Sequence, residues 1–398
     1  MAIFRISKAR DYKTIEICGL NIKIRRKDFA ATFKPFRNLK SDTLLREDGV
    51  SLMTYSDSIA GDSVAVRYFI NALKKAGIQY ERLSLKGDVL PKYKNKITFS
   101  NAPYFKPKKY NNISVFYWEF EDGMPQFFPQ AFDDVQAIIV FSAFNAAYFR
   151  SIAPENVKIY QLPFIPCIDF SLLSSPTVIR KKYSIPQESI VFYFNFSYNS
   201  SYARKNPEGL VRAFSMAFHG SEENAFLVLK TVGSNDERNI KYKYALENCI
   251  KKSGIEDRTI IIDNRLTDSE NHSLINACDV YVSLHRGEGI GLGMLEAMFL
   301  GKPVIGTDYG GNTDFVKAGS AFPVPYKLIN PEFNDIPDYA AVTKAADPDI
   351  YKAAEYMRSL YDNVALRVDI GKRAMDYAKS YCSLDKYREI LEKILKCY

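Results

Sequence analysis

The sequence predicts an α/β protein: two parallel-sheet units facing across a cleft, preceded by a short basic arm. Three observations carry this. The chain has 398 residues, too many for one ordinary core and enough for two domains of about 150–200 residues each. From Gly49 onward, strand-length apolar runs alternate with segments of helical period, and the series occurs twice, on either side of a proline-stiffened stretch at residues 162–169. The composition is 47% hydrophobic and 25% charged, which excludes a disordered or fibrous chain.

The arm comes first. Residues 12–27 alternate as a short hairpin turning at Gly19, and residues 28–48 read as a linker. Residues 1–40 hold eleven Lys/Arg against three Asp/Glu, the whole of the net charge of +8, and the remaining chain is balanced at 43 of each. Phe4, Tyr12, Phe29, Phe33 and Phe36 lie among those charges. The mixture fits an anionic lipid surface or a phosphorylated acceptor. It fits a solvated basic edge equally well, while no recognition motif points to nucleic acid.

The first α/β unit, residues 49–165, opens with a strand at 50–54. A polar loop containing Gly61 follows, then a helix at 63–75 through Val66, Phe69, Ile70 and Leu73, stopped at Gly77. Strands are expected at 80–85, 114–118 and 137–141, with a helix at 143–151. The second unit, residues 170–375, is expected to place strands at 190–196, 226–231, 259–262, 280–284 and 303–306. Its helices are expected at 207–218, 241–252, 268–277 and 293–300. Helical segments from 350 to 397 close the chain, and residues 376–398 are expected to pack back on the first unit. Sheets of this kind bind ligands at the carboxyl ends of their strands, and two such units imply a cleft suited to joining two substrates.

Several classes are set aside. The six cysteines are scattered without a C-x-x-C pair, so reduced thiols in a cytosolic protein are expected. His219, His272 and His285 are the only histidines, too few for a multi-histidine metal centre. The N-terminus turns polar at once and no apolar run approaches about 18 residues. The expectation is a cytoplasmic protein, docked at most peripherally on an inner membrane through residues 1–40.

Three constellations carry chemistry. Arg204-Lys205-Asn206-Pro207 follows a strand end, with Asn206 at the N-cap and Pro207 in the first turn of a helix. Two cations beside a helix N-terminus suit a diphosphate, although an isolated Arg-Lys pair is more often a solvent-facing loop. Gly287-Glu-Gly-Ile-Gly-Leu-Gly293 places glycines at alternate positions ahead of a helix, exposing N–H groups to a ligand. Leu292 and Met294 stand where a third glycine would be needed, so the dinucleotide fingerprint, and with it a dehydrogenase, is disfavoured. Glu288 and Glu296, spaced E-x7-E, lie one in the loop and one about a turn into the helix. Carboxylates there accept hydrogen bonds from sugar hydroxyls, and for Glu296 a solvated helix face is the alternative.

Residues 282–292, with Glu296-Ala-Met and Gly301 through Phe315, closely resemble retaining glycosyltransferases of the GT-B fold, family 4 (glycosyl transferases group 1). Phe194-Asn-Phe through Arg204-Lys-Asn-Pro207 resembles the same family's second donor segment. The likeness covers roughly residues 49–390 and is specific in the second half and loose in the first. It implies two Rossmann-like domains and a nucleotide diphosphate sugar, UDP- or GDP-hexose, as donor, with no metal. By this resemblance Arg204 and Lys205 neutralise the diphosphate, and Glu288 holds donor-sugar hydroxyls. The backbone of Gly289, Ile290, Gly291 and Leu292 meets sugar and phosphates, Glu296 binds the ribose, and Gly61 lies near the phosphates. The implied function is hexose transfer to a glycan or lipid-linked acceptor in bacterial lipopolysaccharide or capsule synthesis.

Two departures stand out. Gly293 replaces the Pro or Ser of many relatives, which would loosen the helix start. The family's catalytic His in the first domain is missing, and Tyr117-Trp118-Glu119-Phe120-Glu121 occupies that region. Glu119 is the candidate to accept a proton or orient the acceptor there, and Trp118 to pack in the core or stack on a sugar. A non-transferring relative such as a sugar-nucleotide epimerase, or a silent sugar-binding subunit, is the rival reading. The charged residues all being present disfavours both.

Overall fold

The computed structural model describes residues 45–54, 63–84, 91–99, 111–124, 132, 135–218, 223–333 and 335–398, together with the backbone of three strands in the first 25 residues. Those strands are β1 (Arg5–Lys8), β2 (Tyr12–Ile17) and β3 (Leu20–Arg25), forming one antiparallel sheet in that order. The expected hairpin is β2–β3, with Ile17 opposite Leu20. The strand β1 was not expected, being only four residues long. The Gly61 loop, at 55–62, and His219 lie outside the described residues.

The first α/β unit consists of β4 (Arg46–Thr54), α1 (Val64–Lys75), β5 (Gln79–Ser84), β6 (Tyr93–Phe99), β7 (Asn111–Val115), β8 (Ala137–Val140), α2 (Ala143–Ile152) and β9 (Lys158–Gln161). Its six strands are parallel, in the order β5-β4-β6-β7-β8-β9. The last six residues of β4 are all buried, as expected of a strand covered on both faces. The Ser63 hydroxyl caps α1, which turns Ala65, Val66, Phe69, Ile70 and Leu73 inward. Two strands escaped the sequence reading. In β6, Lys94 and Lys96 interrupt the apolar signal, and β9 is a four-residue edge. The strand expected at 114–118 ends at Val115, and the chain runs on irregularly through Phe120.

The second unit opens with α3 (Pro176–Lys182) and β10 (Ile190–Ser197), then the single turn α4 (Tyr202–Lys205) and α5 (Pro207–Ala217). It continues through β11 (Ala225–Val232), α6 (Ile240–Lys252), β12 (Thr259–Asp263), α7 (Asp268–Ala277), β13 (Val280–Ser283), α8 (Leu292–Phe299) and β14 (Val304–Thr307). The strand β15 (Phe322–Val324) completes a parallel sheet ordered β12-β11-β10-β13-β14-β15. A two-stranded ribbon, β16 (Tyr326–Ile329) with β17 (Ala345–Pro348), holds the segment between them. The chain leaves β10 in one direction to build β11 and β12, then returns to β13 on its other side. That reversal opens a crevice at the carboxyl ends of β10 and β13.

Three helices close the chain: α9 (Ile350–Asp362), α10 (Val364–Tyr381) and α11 (Leu384–Cys397). The last reaches the first unit, where Arg388 Nε donates to Ala76 O at 2.8 Å and Asn95 Nδ2 to Leu395 O at 3.2 Å. Among the described residues, no helix is long and apolar enough to cross a membrane, and no group of three His, Cys, Asp or Glu could hold a metal ion.

Candidate active site

The crevice between β10 and β13 opens into two adjoining cavities, one of about 460 Å³ and one of about 770 Å³. Asn195, Leu292 and Gly293 line both, so one elongated ligand can span them.

Arg204, Lys205, Glu288 and Glu119 meet in the smaller cavity. Asn206 sets up the first two. Its φ of +50° turns the chain between α4 and α5, its Oδ1 accepts from Gly209 N, and its Nδ2 donates to Leu284 O at 2.8 Å. Arg204 is 2% exposed, which overturns the solvent-facing alternative. Its Nη1 donates to Gly287 O at 2.8 Å, and its Nη2 to Ser200 O and Oγ at 2.9 and 2.7 Å. Its Nε is buried with no hydrogen-bond partner among the described residues. Lys205 Nζ reaches Glu288 Oε2 at 2.5 Å, with Arg204 Nη1 at 3.7 Å from the same oxygen. Burial alone would raise the Glu288 carboxyl, but Lys205 and Arg204 outweigh it and hold it well below the usual range. Glu119 Oε1 lies 3.9 Å from Arg204 Nη2. Burial pushes that carboxyl up, and Arg204 offsets it only in part.

The two ends of the glycine run, Gly287 and Gly293, also make room for neighbouring parts of the chain. A Cβ at Gly287 would stand 2.4 Å from the Phe120 ring and 2.8 Å from Glu119 O. The close approach it permits is to the first unit's own chain. Gly293 serves a neighbour as well: a Cβ there would fall 2.2 Å from the Tyr281 hydroxyl, which donates to Asn195 Oδ1 at 2.5 Å. Its small size makes room for that hydrogen bond, and α8 begins one residue earlier, at Leu292. Below the loop, His285 is fully buried. Its Nε2 donates to Tyr309 O at 3.0 Å, which leaves Nδ1 to accept from Ser283 Oγ at 3.1 Å. Burial lowers this imidazole to about 4, so it is neutral at physiological pH.

Glu296 lines the larger cavity with Lys230, Arg265 and Asn271. It is 4% exposed, so the solvated-face alternative fails. Its Oε1 accepts from the Tyr68 hydroxyl of α1 at 2.6 Å. Across the smaller cavity, Trp118 packs edge-on against Phe120 and Tyr339 and donates from Nε1 to Asp122 O at 2.8 Å. It also lines the cavity, so both roles considered for it remain compatible. The segment carrying Ile336, Asp338 and Tyr339 comes from the second unit and roofs this side. Asp335 anchors it by accepting from Ser201 Oγ and Ala203 N at 3.0 and 3.2 Å.

The chain aligns with sucrose-phosphate synthase of Thermosynechococcus elongatus at a TM-score of 0.64 and 15% identity, over 88% of this chain and 98% of that one. Anabaena Alr3699/HepE in complex with UDP and glucose aligns at 0.59 and 15%, over 88% and 100%. The fold is GT-B. Within it, residues 177–330 match the family of glycosyl transferases group 1. An 81-residue stretch is 32% identical to the lipopolysaccharide core biosynthesis mannosyltransferase LpsB of Rhizobium meliloti (strain 1021). That match spans 20% of this chain and 22% of the relative's length.

Among the residues of this GT-B cleft that sequence reasoning missed are Tyr68, Tyr281 and Tyr339. Each is an aromatic inside a strand, helix or turn that reads as core. The only available signal was the polar atom each must satisfy when buried.

Proposed function

We propose that the chain transfers a hexose from a nucleoside diphosphate sugar to a glycan or lipid-linked acceptor, with retention of configuration, in bacterial surface-polysaccharide synthesis. The observation that carries this is the buried cluster of Arg204, Lys205 and Glu288 in the smaller cavity. A nucleoside fits the larger cavity, with its ribose at Glu296. The diphosphate then lies at Arg204 and Lys205, and the sugar against Glu288 and the backbone of residues 289–292. UDP and glucose in HepE support the donor class, and LpsB supports the pathway.

In the reaction, the bond from the anomeric carbon to the diphosphate oxygen breaks and one from the acceptor oxygen forms on the same face. The acceptor proton passes to the departing phosphate oxygen. Arg204 and Lys205 stabilise charge developing on that oxygen. The fixed low protonation of Glu288 suits it to accept hydrogen bonds from sugar hydroxyls and to stabilise positive charge at the anomeric carbon. Glu119 orients the acceptor hydroxyl beneath the Tyr339 roof. Gly61 belongs to the proposed phosphate side, and residues 1–40 to contact with an anionic inner-membrane surface.

A thermal-shift screen across UDP and GDP sugars, followed by product analysis, tests the reading. A stabilising donor and a new α- or β-linkage matching that donor support it. Undiminished turnover by Glu288→Ala would sink the donor-site assignment. For the arm, unchanged sedimentation with anionic vesicles after deleting residues 1–40 would count against membrane contact.

A further inference from the structure

We propose that Tyr68, on the first unit's α1, is a positioning residue that orients Glu296 for the donor ribose and so ties donor binding to the docking of α1. The inference rests on Glu296 being the ribose acceptor, as proposed above. Tyr68 is 2% exposed, yet its hydroxyl reaches two polar atoms of the other unit: Glu296 Oε1 at 2.6 Å and His272 Nε2 at 2.7 Å. A phenol has one proton to give. With that proton on the carboxylate, His272 must supply the other, so the chain runs from His272 Nε2–H to the Tyr68 oxygen and from Tyr68 O–H to Glu296.

Tyr68 therefore engages one carboxylate oxygen. The other lies 3.5 Å from Asn271 Nδ2, at the limit of hydrogen bonding, in a residue that lines the larger cavity. Two features make this more than a satisfied core tyrosine. The adjacent Arg67 forms a two-point pair with Asp268 at the start of α7, Nε to Oδ2 at 2.9 Å and Nη2 to Oδ1 at 2.5 Å. The same turn of α1 is thus pinned to the wall of the nucleotide cavity, which Arg67 and Asp268 also line. Secondly, the carboxylate's rotamer is set by a group that arrives only when the two units are together.

The test is a binding cycle on the whole chain, with Tyr68→Phe against UDP, GDP and their 2′,3′-dideoxy counterparts, read by calorimetry. The ring and its contacts with Phe164 and His272 remain in the variant. The wild type is expected to prefer one ribonucleotide over its dideoxy form. In Tyr68→Phe the ribonucleotide should weaken by about tenfold, the size of a lost hydrogen bond to a charged group, while the dideoxy form is unchanged. Equal weakening of both forms, or of neither, overturns the inference. His272→Leu, which removes the donor behind the phenol, should narrow the same gap by a smaller factor. Should Tyr68→Phe not fold, an unchanged gap in His272→Leu overturns the inference alone. A wild type that binds neither UDP nor GDP removes the donor reading itself, and this inference with it.

Discussion

Lys205 and Glu288 are bonded to each other, Nζ to Oε2 at 2.5 Å, although 83 residues separate them. The proposed phosphate cation and the proposed sugar carboxylate are therefore one electrostatic unit. Removing either strands the other in a buried site. Lys205→Ala and Glu288→Ala are each expected to lower kcat by about a hundredfold or more. The double variant should cost little beyond the worse single one, because residues acting as a unit are not additive. Steady-state kinetics on the three variants decide this, and independent, multiplying losses would refute the coupling.

Arg204 is expected to tolerate no substitution by lysine. Its guanidinium spans Gly287 O on one side and Ser200 on the other, a fork that a single ammonium cannot reproduce. Arg204→Lys should lower the melting temperature and cut turnover by roughly tenfold or more. Wild-type kinetics in that variant would mean that charge alone suffices.

The two units, their parallel sheets and most helix positions were legible because period and caps are local signals. Asn206-Pro207 announced the start of α5, and glycine on both sides of Glu288 announced a loop carrying a charge. What stayed hidden depends on distant parts of the chain. Tyr68 meets Glu296 across 228 residues, and its own helix reads simply as amphipathic. The alternate glycines were legible as close approach, but the approach of Gly287 to Phe120 and of Gly293 to Tyr281 was not. In β6 the lysines concealed a strand whose burial is decided by its place between β4 and β7.

The Gly293–Tyr281 contact predicts a specific rescue. Gly293→Ala places a Cβ 2.2 Å from the Tyr281 hydroxyl and should cost about 1–3 kcal/mol through overpacking. Tyr281→Phe loses the bond to Asn195 but vacates that space. In the double variant the two losses should therefore sum to less than their separate values, by about 1 kcal/mol. Only partial relief is expected, since Asn195 Oδ1 would still lie 2.7 Å from the new methyl. Urea unfolding of the four proteins measures the coupling, and strict additivity would remove the steric account.

Glu119 carries a carboxyl that burial raises. A carboxyl raised in the folded state favours its protonated form there, so its ionisation costs stability as pH rises through that value. Glu119→Gln removes this cost. The variant should melt about 1–4 °C higher than wild type at pH 7.5, and the gain should shrink as pH falls toward 4, where the wild-type carboxyl is itself protonated. At the same time turnover should drop if Glu119 orients the acceptor. A variant destabilised at pH 7.5 would show that the pairing with Arg204 outweighs the burial.

His285 makes the opposite demand on pH. Burial lowers its imidazole from 6.5 to about 4, so between those values the unfolded chain binds the proton and the folded chain does not. Stability from this group is complete above about pH 6.5 and is lost as pH falls toward 4, by roughly 3 kcal/mol over the whole interval. Protonation would also set a second donor against Ser283 and add a charge beneath the loop that presents Glu288. The urea midpoint of the wild type should therefore fall between pH 6.5 and 4.5, whereas nucleotide affinity, a property of the folded state, should respond to this group only as pH approaches 4. His285→Gln, which cannot take up the proton, should flatten that slope. Identical slopes in the two proteins would place the pH sensitivity elsewhere.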